Sequence, residues 1–243
     1  MNSTIPTIST GALVLSFIPA AIVIGVMYRW RARAGGAMYA TLRMLVQLLL
    51  IGYVLIYIFQ TDHFGVILAV LAVMLGAAAW IAIRPLEKKG IHAYRTALLA
   101  IAVGGLPVLV LVTQAVIGVE PWFSPRYVVP LAGMIFAGAM NAVSLAAERY
   151  QAESARGVAR GAARRTALQA ALIPTINSLL AVGLVSLPGM MTGQILSGVS
   201  PLLAAKYQIV VMTMLFGASG TAAAVYLAVQ SRRGEGSIAN RPP

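Results

Sequence analysis

Apolar residues in this chain neither alternate with polar ones nor keep to one helical face. They fill whole stretches, at roughly 11–28, 44–59, 65–83, 96–117, 128–147, 169–187 and 204–229. About 20 apolar residues cross a bilayer as a helix, whereas a membrane barrel would show alternating segments of about 10 residues. The pattern predicts an all-α polytopic membrane bundle of about seven transmembrane helices, forming a single domain over 1–243. The second stretch is short for a crossing and gains length if the helix includes 40–43, with Arg43 reaching toward the interface.

The pattern is interrupted toward the C-terminal end. Residues 172–193, LIPTINSLLAVGLVSLPGMMTG, run from an apolar helix carrying Pro174, Asn177 and Ser178 into a bend at Pro188, Gly189 and Gly193. The piece 188–203 is too apolar for an exposed loop and too broken for a span. Irregular backbone at membrane depth survives only under protein or beside a watery cavity, so the piece reads as re-entrant or interfacial. Pro174, Pro188, Gly189 and Gly193 are the hinge candidates, because proline removes a ladder hydrogen bond and glycine permits unusual backbone angles.

Charge orients the bundle. All but Arg126 and Lys206 of the 18 basic residues follow the first, third, fifth or seventh apolar stretch. Lysine and arginine accumulate on cytoplasmic loops, which predicts an outside N-terminus, an inside C-terminus and a multi-pass protein of the inner (plasma) membrane. Charged residues make up 10% of the chain, against about 25% in soluble domains. The net charge of +12 is read as attraction to lipid headgroups, with no aromatic-and-basic module for nucleic acid. The absence of cysteine excludes disulfides, thiolate metal ligands and cysteine nucleophiles.

The candidate chemistry is sparse. Gln47, Asn177 and Ser178 are uncharged polar groups inside apolar stretches, and Asn141 lies on a small-residue face with Gly133 and Ala137. Such groups hold helices together or line a solute path. Met190 and Met191 sit at the bend, as flexible packing or as soft ligands. Arg149, Glu153, Arg156, Arg160 and Arg164 are spaced for one face of a basic inner helix over 148–168, which would lie on lipid or dock a cytoplasmic partner. The last basic residues form a tail over 231–243, expected to be disordered. Asp62 and His63, with Glu120, are the candidates for an outer metal site; no Ser–His–Asp or paired-carboxylate arrangement suggests catalysis. No Walker A motif occurs, so ATP hydrolysis would require a separate chain.

Three blocks carry a family resemblance: RMLVQLLLIGYVLIYIF at 43–59, VVPLAGMIFAGAMNAVSLAAER at 128–149, and AALIPTINSLLAVGLVSLPGMMTGQILSGVSPLLAAKYQIVVM at 170–212. The chain resembles the iron-export ABC permease family of the Fet type, related to plant aluminium-tolerance permeases. The resemblance implies a non-enzymatic membrane subunit, homodimeric, working with a cytoplasmic ATP-binding cassette ATPase that holds the ATP. No cofactor is expected on this chain itself. Export of an iron-like metal ion or a metal complex is the implied activity. An ATP-independent channel or secondary transporter, and a non-transporting scaffold recruiting a cytoplasmic partner, are the alternatives.

Overall fold

The computed structural model describes residues 8–61, 63–86 and 89–238, and it is all-helical, with no strand among the described residues. Six helices are long and apolar enough to cross a membrane: Thr10–Arg29, Ala34–Gln60, Phe64–Ala82, Ile91–Ile117, Pro125–Ala155 and Pro201–Arg232. The chain is an integral, multi-pass membrane protein. The backbone falls into two compact units, Met1–Thr61 and Asp62–Pro243.

The first unit contains α1 (Thr10–Leu15), α2 (Ile18–Arg29) and α3 (Ala34–Gln60). The Ser9 hydroxyl caps α1 by accepting the Ala12 N–H at 3.2 Å. Pro19 falls in the first turn of α2, where its missing N–H costs nothing. At about 1.5 Å per residue, α3 is about 40 Å long, enough to exceed the bilayer core. It begins ten residues before the predicted 44–59 and takes in Arg43. Ile58 is the one hydrophobic residue of α1–α3 that is buried among the described residues, as suits helices whose apolar sides meet lipid.

The second unit contains α4 (Phe64–Ala82), α5 (Ile91–Val110), α6 (Pro125–Ala155), α7 (Arg160–Ala181), α8 (Gly189–Leu196) and α9 (Pro201–Ile238). A π-helical stretch, Leu111–Ile117, prolongs α5 and stops at Gly118, whose φ is 70°. The core is packed between α5, α6 and α9 around Ile101, Ile135, Phe136, Val143, Tyr226 and Leu227. Small residues bring these helices close, the usual device where no water drives association. Gly104 of α5 is so near α9 that a Cβ there would lie 2.6 Å from the Ala222 nitrogen and 2.8 Å from the Ala218 oxygen. Gly105 turns to α6, where a Cβ would meet Ile135 and Phe136 at 3.1–3.2 Å.

The predicted sixth span, 169–187, falls largely on α7, which begins in basic sequence at Arg160, ends at Ala181 and, with that basic start, is not counted among the six long apolar helices. Gly183, at φ 81°, turns the chain there, and its N–H bonds the Ser186 carbonyl at 2.9 Å. The following piece is broken as its prolines and glycines suggest, into the eight-residue α8 between Pro188 and Gly198. The inner helix predicted over 148–168 does not exist as one element. Arg149 and Glu153 belong to α6, Arg156 is its C-cap, and Arg160 and Arg164 belong to α7. Gly157, at φ 75°, takes the left-handed conformation that ends a helix, so the five residues do not share one face. Toward the tail α9 extends to Ile238, and 239–243 lie outside the described residues.

Candidate functional site

The second unit has an open cavity of about 480 Å³ between α6, α7, the α7–α8 turn and α9. Its α9 wall is Gln208, Val211, Met212, Leu215 and Ser219, a spacing that keeps one helical face turned inward. Gly138, Asn141, Ala142 and Leu145 form the α6 wall; Ala171, Pro174, Thr175 and Ser178 form the α7 wall. Gly138 lets the walls approach: a Cβ there would stand 3.0 Å from Ser219 Oγ. Among the described residues no ionisable side chain lines the cavity.

The cavity's polar groups differ in their satisfaction. The Ser178 hydroxyl donates to the Pro174 carbonyl at 2.9 Å, so its donor is satisfied within α7. Gln208 and Ser219 are 5% and 1% exposed, yet Gln208 Oε1 and Ser219 Oγ have no hydrogen-bond partner. Leaving such oxygens unpaired in an apolar interior costs about 1–3 kcal/mol each. Groups kept at that cost call for an explanation.

A second cavity, about 540 Å³, lies toward the N-terminal ends of α6 and α9. It is lined by Arg126, Tyr127, Gln194 and Tyr207 among others, and it shares Met134, Met190 and Val211 with the first. The two spaces therefore adjoin at those three residues. Gln194 Oε1, on the α8 side, is again buried without a partner.

The candidates named from sequence separate accordingly. Asn141, Ser178 and Met190, with Pro174, Pro188 and Gly189, come together on the first cavity. Met191 lines a neighbouring space of about 350 Å³ with Val182, Gly183, Gln208 and Met212. Asn177 and Ser178 are both exposed, but Ser178 lines the cavity and Asn177 does not, because a helix turns about 100° per residue. Gln47 is exposed on α3, in the other unit, and Gly193 is exposed on α8 with open space where a Cβ would stand. Ser219, Gln194 and the role of Gln208 were missed. Their signal was single polar residues inside apolar helices.

The basic cluster is organised around Glu153, which is 7% exposed at the C-terminal end of α6. Arg149 Nη2 meets Glu153 Oε1 at 2.6 Å, and Arg156 Nη1 meets the same oxygen at 3.9 Å. The buried carboxylate thus ties both arginines to the α6–α7 turn. Arg164 lines a separate space with Gly161, Arg165 and Leu168, facing Ala224 and Leu227 of α9.

Of the metal candidates, Asp62 lies outside the described residues, His63 is the N-cap position of α4, and Glu120 is exposed in the loop before α6. Among the described residues no group of three His, Cys, Asp or Glu side chains is placed to hold a metal ion.

Known proteins resemble the chain over most of its length. The probable iron export permease protein FetB of Escherichia coli is 36% identical over 245 residues, covering 93% of this chain and 92% of the relative. The UPF0014 membrane protein slr1647 of Synechocystis is 36% identical over 198 residues, 74% and 76% of the two chains. The protein ALUMINUM SENSITIVE 3 of Arabidopsis thaliana is 33% identical over 200 residues, 76% and 72%. No solved structure matches. The profile of the uncharacterised protein family UPF0014 matches residues 10–234, with the two cavities and the α6–α7 turn all inside the match, and the chain belongs to that family.

Proposed function

We propose that this chain is the permease subunit of an ATP-binding cassette exporter that moves an iron-like metal, as an ion or a complex, out of the cytoplasm. The observation that carries the reading is the pair of adjoining cavities that share Met134, Met190 and Val211. A solute route needs space on both sides of a closable point, and here the shared residues include one from the short, proline- and glycine-flanked α8. The resemblance to FetB, whose name records iron export, supports the direction and the cargo class.

In this reading two copies pair in the inner membrane, with outside N-termini and inside C-termini. Each engages a cytoplasmic ATPase at the α6–α7 turn through Arg149, Glu153, Arg156, Arg160 and Arg164. Closure of the ATPases bears on that turn, and α7 is continuous from it to the bend at Ala181. Hinge motion around Pro174, Pro188, Gly189 and Gly193 then shifts Met190 and opens the outer cavity. ATP binding has to favour that outward-open arrangement for the shift to be driven. Asn141, Ser178 and Met190 contact the cargo in the inner cavity, with Met191 beside it.

The test is iron movement in proteoliposomes that hold the permease together with its partner ATPase. ATP-dependent iron transport is expected, abolished when ATP is replaced by a non-hydrolysable analogue. Replacing Arg156, Arg160 and Arg164 with glutamine should release the ATPase from the permease in a pull-down. Iron flux that proceeds equally without ATP would instead identify a channel.

A further inference from the structure

Arg164 and Arg165 of α7 border an open recess of about 570 Å³ against α9, with Gly161, Leu168, Ala224 and Ala228 among its other lining residues. Both arginines are exposed. The buried carboxylate of Glu153 is held by Arg149 and Arg156, and among the described residues neither Arg164 nor Arg165 is in an ion pair or a side-chain hydrogen bond. No acidic residue lines the recess among the described residues. The α7 helix also opens without a side-chain cap and without an acid in its first turn, so the positive end of its dipole adds to the two guanidinium charges. Arg232, exposed and four residues beyond Ala228, falls on the same side of α9.

The recess lies where charge ends on both helices. On α7, Arg164 and Arg165 are the last charged residues before the uncharged stretch 166–181. On α9, residues 207–231 carry no charge, which is about 37 Å of helix against a hydrocarbon core of ~30 Å. Ala224 and Ala228 stand in the last two turns of that stretch. The arginines therefore sit at the level of the headgroups, while Leu168 and Ala224 reach the level of the acyl chains.

An occupant that suits both ends is negative above and apolar below. A free phosphate, or a carboxylate on a protein surface, would meet the arginines and leave Leu168 and Ala224 uncovered. A zwitterionic lipid would bring an ammonium group to a recess that offers it two guanidinium groups and no carboxylate. An anionic glycerol headgroup brings no second charge, and arginine forks match the geometry of phosphate oxygens. We infer that the recess between α7 and α9 is a binding site for one anionic diacyl phospholipid, with its phosphate on Arg164 and Arg165 and its chains against Leu168 and Ala224. The site does not depend on the transport reading. Arg164 is shared with the docking face proposed above, so the test turns on Arg165 and Gly161, which that face does not use.

Full-length permease in detergent, without the ATPase, is titrated with dioleoylphosphatidylglycerol or dioleoylphosphatidylcholine, and bound lipid is counted by native mass spectrometry. One saturable site per chain is expected, about tenfold tighter for phosphatidylglycerol, as for one charge-assisted hydrogen bond. Inorganic phosphate in large excess should not displace the lipid. Arg165→Gln should bring phosphatidylglycerol down to the affinity of phosphatidylcholine. Gly161→Leu should weaken both lipids by filling the recess, and it leaves the fold intact because nothing lies within 4 Å of the Cβ position. Arg84→Gln removes an exposed cation between α4 and α5 and should leave both affinities unchanged. Equal affinity for the two lipids, displacement by inorganic phosphate, unchanged binding in both Arg165→Gln and Gly161→Leu, or an equal loss in Arg84→Gln would overturn the inference.

Discussion

Replacing Gly104 with valine is expected to leave little folded protein, with a loss of about 3 kcal/mol, the upper end of ordinary overpacking. The atoms a side chain would strike are the Ala222 nitrogen and the Ala218 oxygen. Both are backbone, so no rotamer change in α9 relieves the clash and the two helices must separate. Separation would also uncover Ile101, Tyr226 and Leu227, which are almost fully buried. Gly217→Ala is the matched control on α9. Nothing lies within 4 Å of its Cβ position, and alanine favours a helix over glycine by about 1 kcal/mol. Thermal unfolding followed by gel filtration in detergent should show an early-melting, aggregated Gly104→Val and a Gly217→Ala at least as stable as the parent. Equal melting of Gly104→Val and the parent would mean that α5 and α9 are not in backbone contact.

Replacing Asn141 with leucine should reduce ATP-driven export by about tenfold, the equivalent of one hydrogen bond to the cargo, with little change in folding. Asn141 is on the cavity side of α6 and is not buried against another helix, so leucine fits the space while withdrawing both amide groups. Asn177→Leu should leave export near the parent value, because Asn177 is exposed on α7 and lines no part of the cavity. The two substitutions are chemically identical, which removes side-chain type as an explanation for any difference. Initial export rates from proteoliposomes, normalised to folded protein, decide it; equal losses in both variants would detach the cavity from transport.

The membrane architecture was legible because hydropathy is additive along the chain: any segment of about 20 apolar residues announces itself without knowledge of its neighbours. The broken region was legible for a similar local reason, since Pro188, Gly189 and Gly198 act on their own backbone. What failed was inference across a break. The arginines at 149, 156, 160 and 164 have helical spacing, yet Gly157 at φ 75° separates them between α6 and α7. Helical spacing does not reveal that a glycine within it takes the left-handed conformation that ends a helix.

The site was legible only in part. Asn141 and Ser178 stand out as polar groups in apolar sequence, and both reach the cavity. Their neighbour Asn177 stands out equally and does not. One residue shifts the direction by about 100°, and the choice between 177 and 178 depends on which side of α7 meets α6 and α9. Gln208 and Ser219 become informative only once the helices are brought together. Burial without a partner is a property of the packed unit, absent from any window of sequence.

The cysteine-free chain permits a direct test of whether cargo passes through the space between α6, α7 and α9. Met212→Cys puts one thiol on the α9 wall of the first cavity. A positively charged methanethiosulfonate reagent attached there would fill the space and carry a cation into an uncharged lining. Measured in proteoliposomes containing the partner ATPase, with modification followed by mass spectrometry, ATP-driven iron export should stop as the thiol is consumed and recover when a reductant releases the adduct. Complete modification with undiminished export would contradict the route.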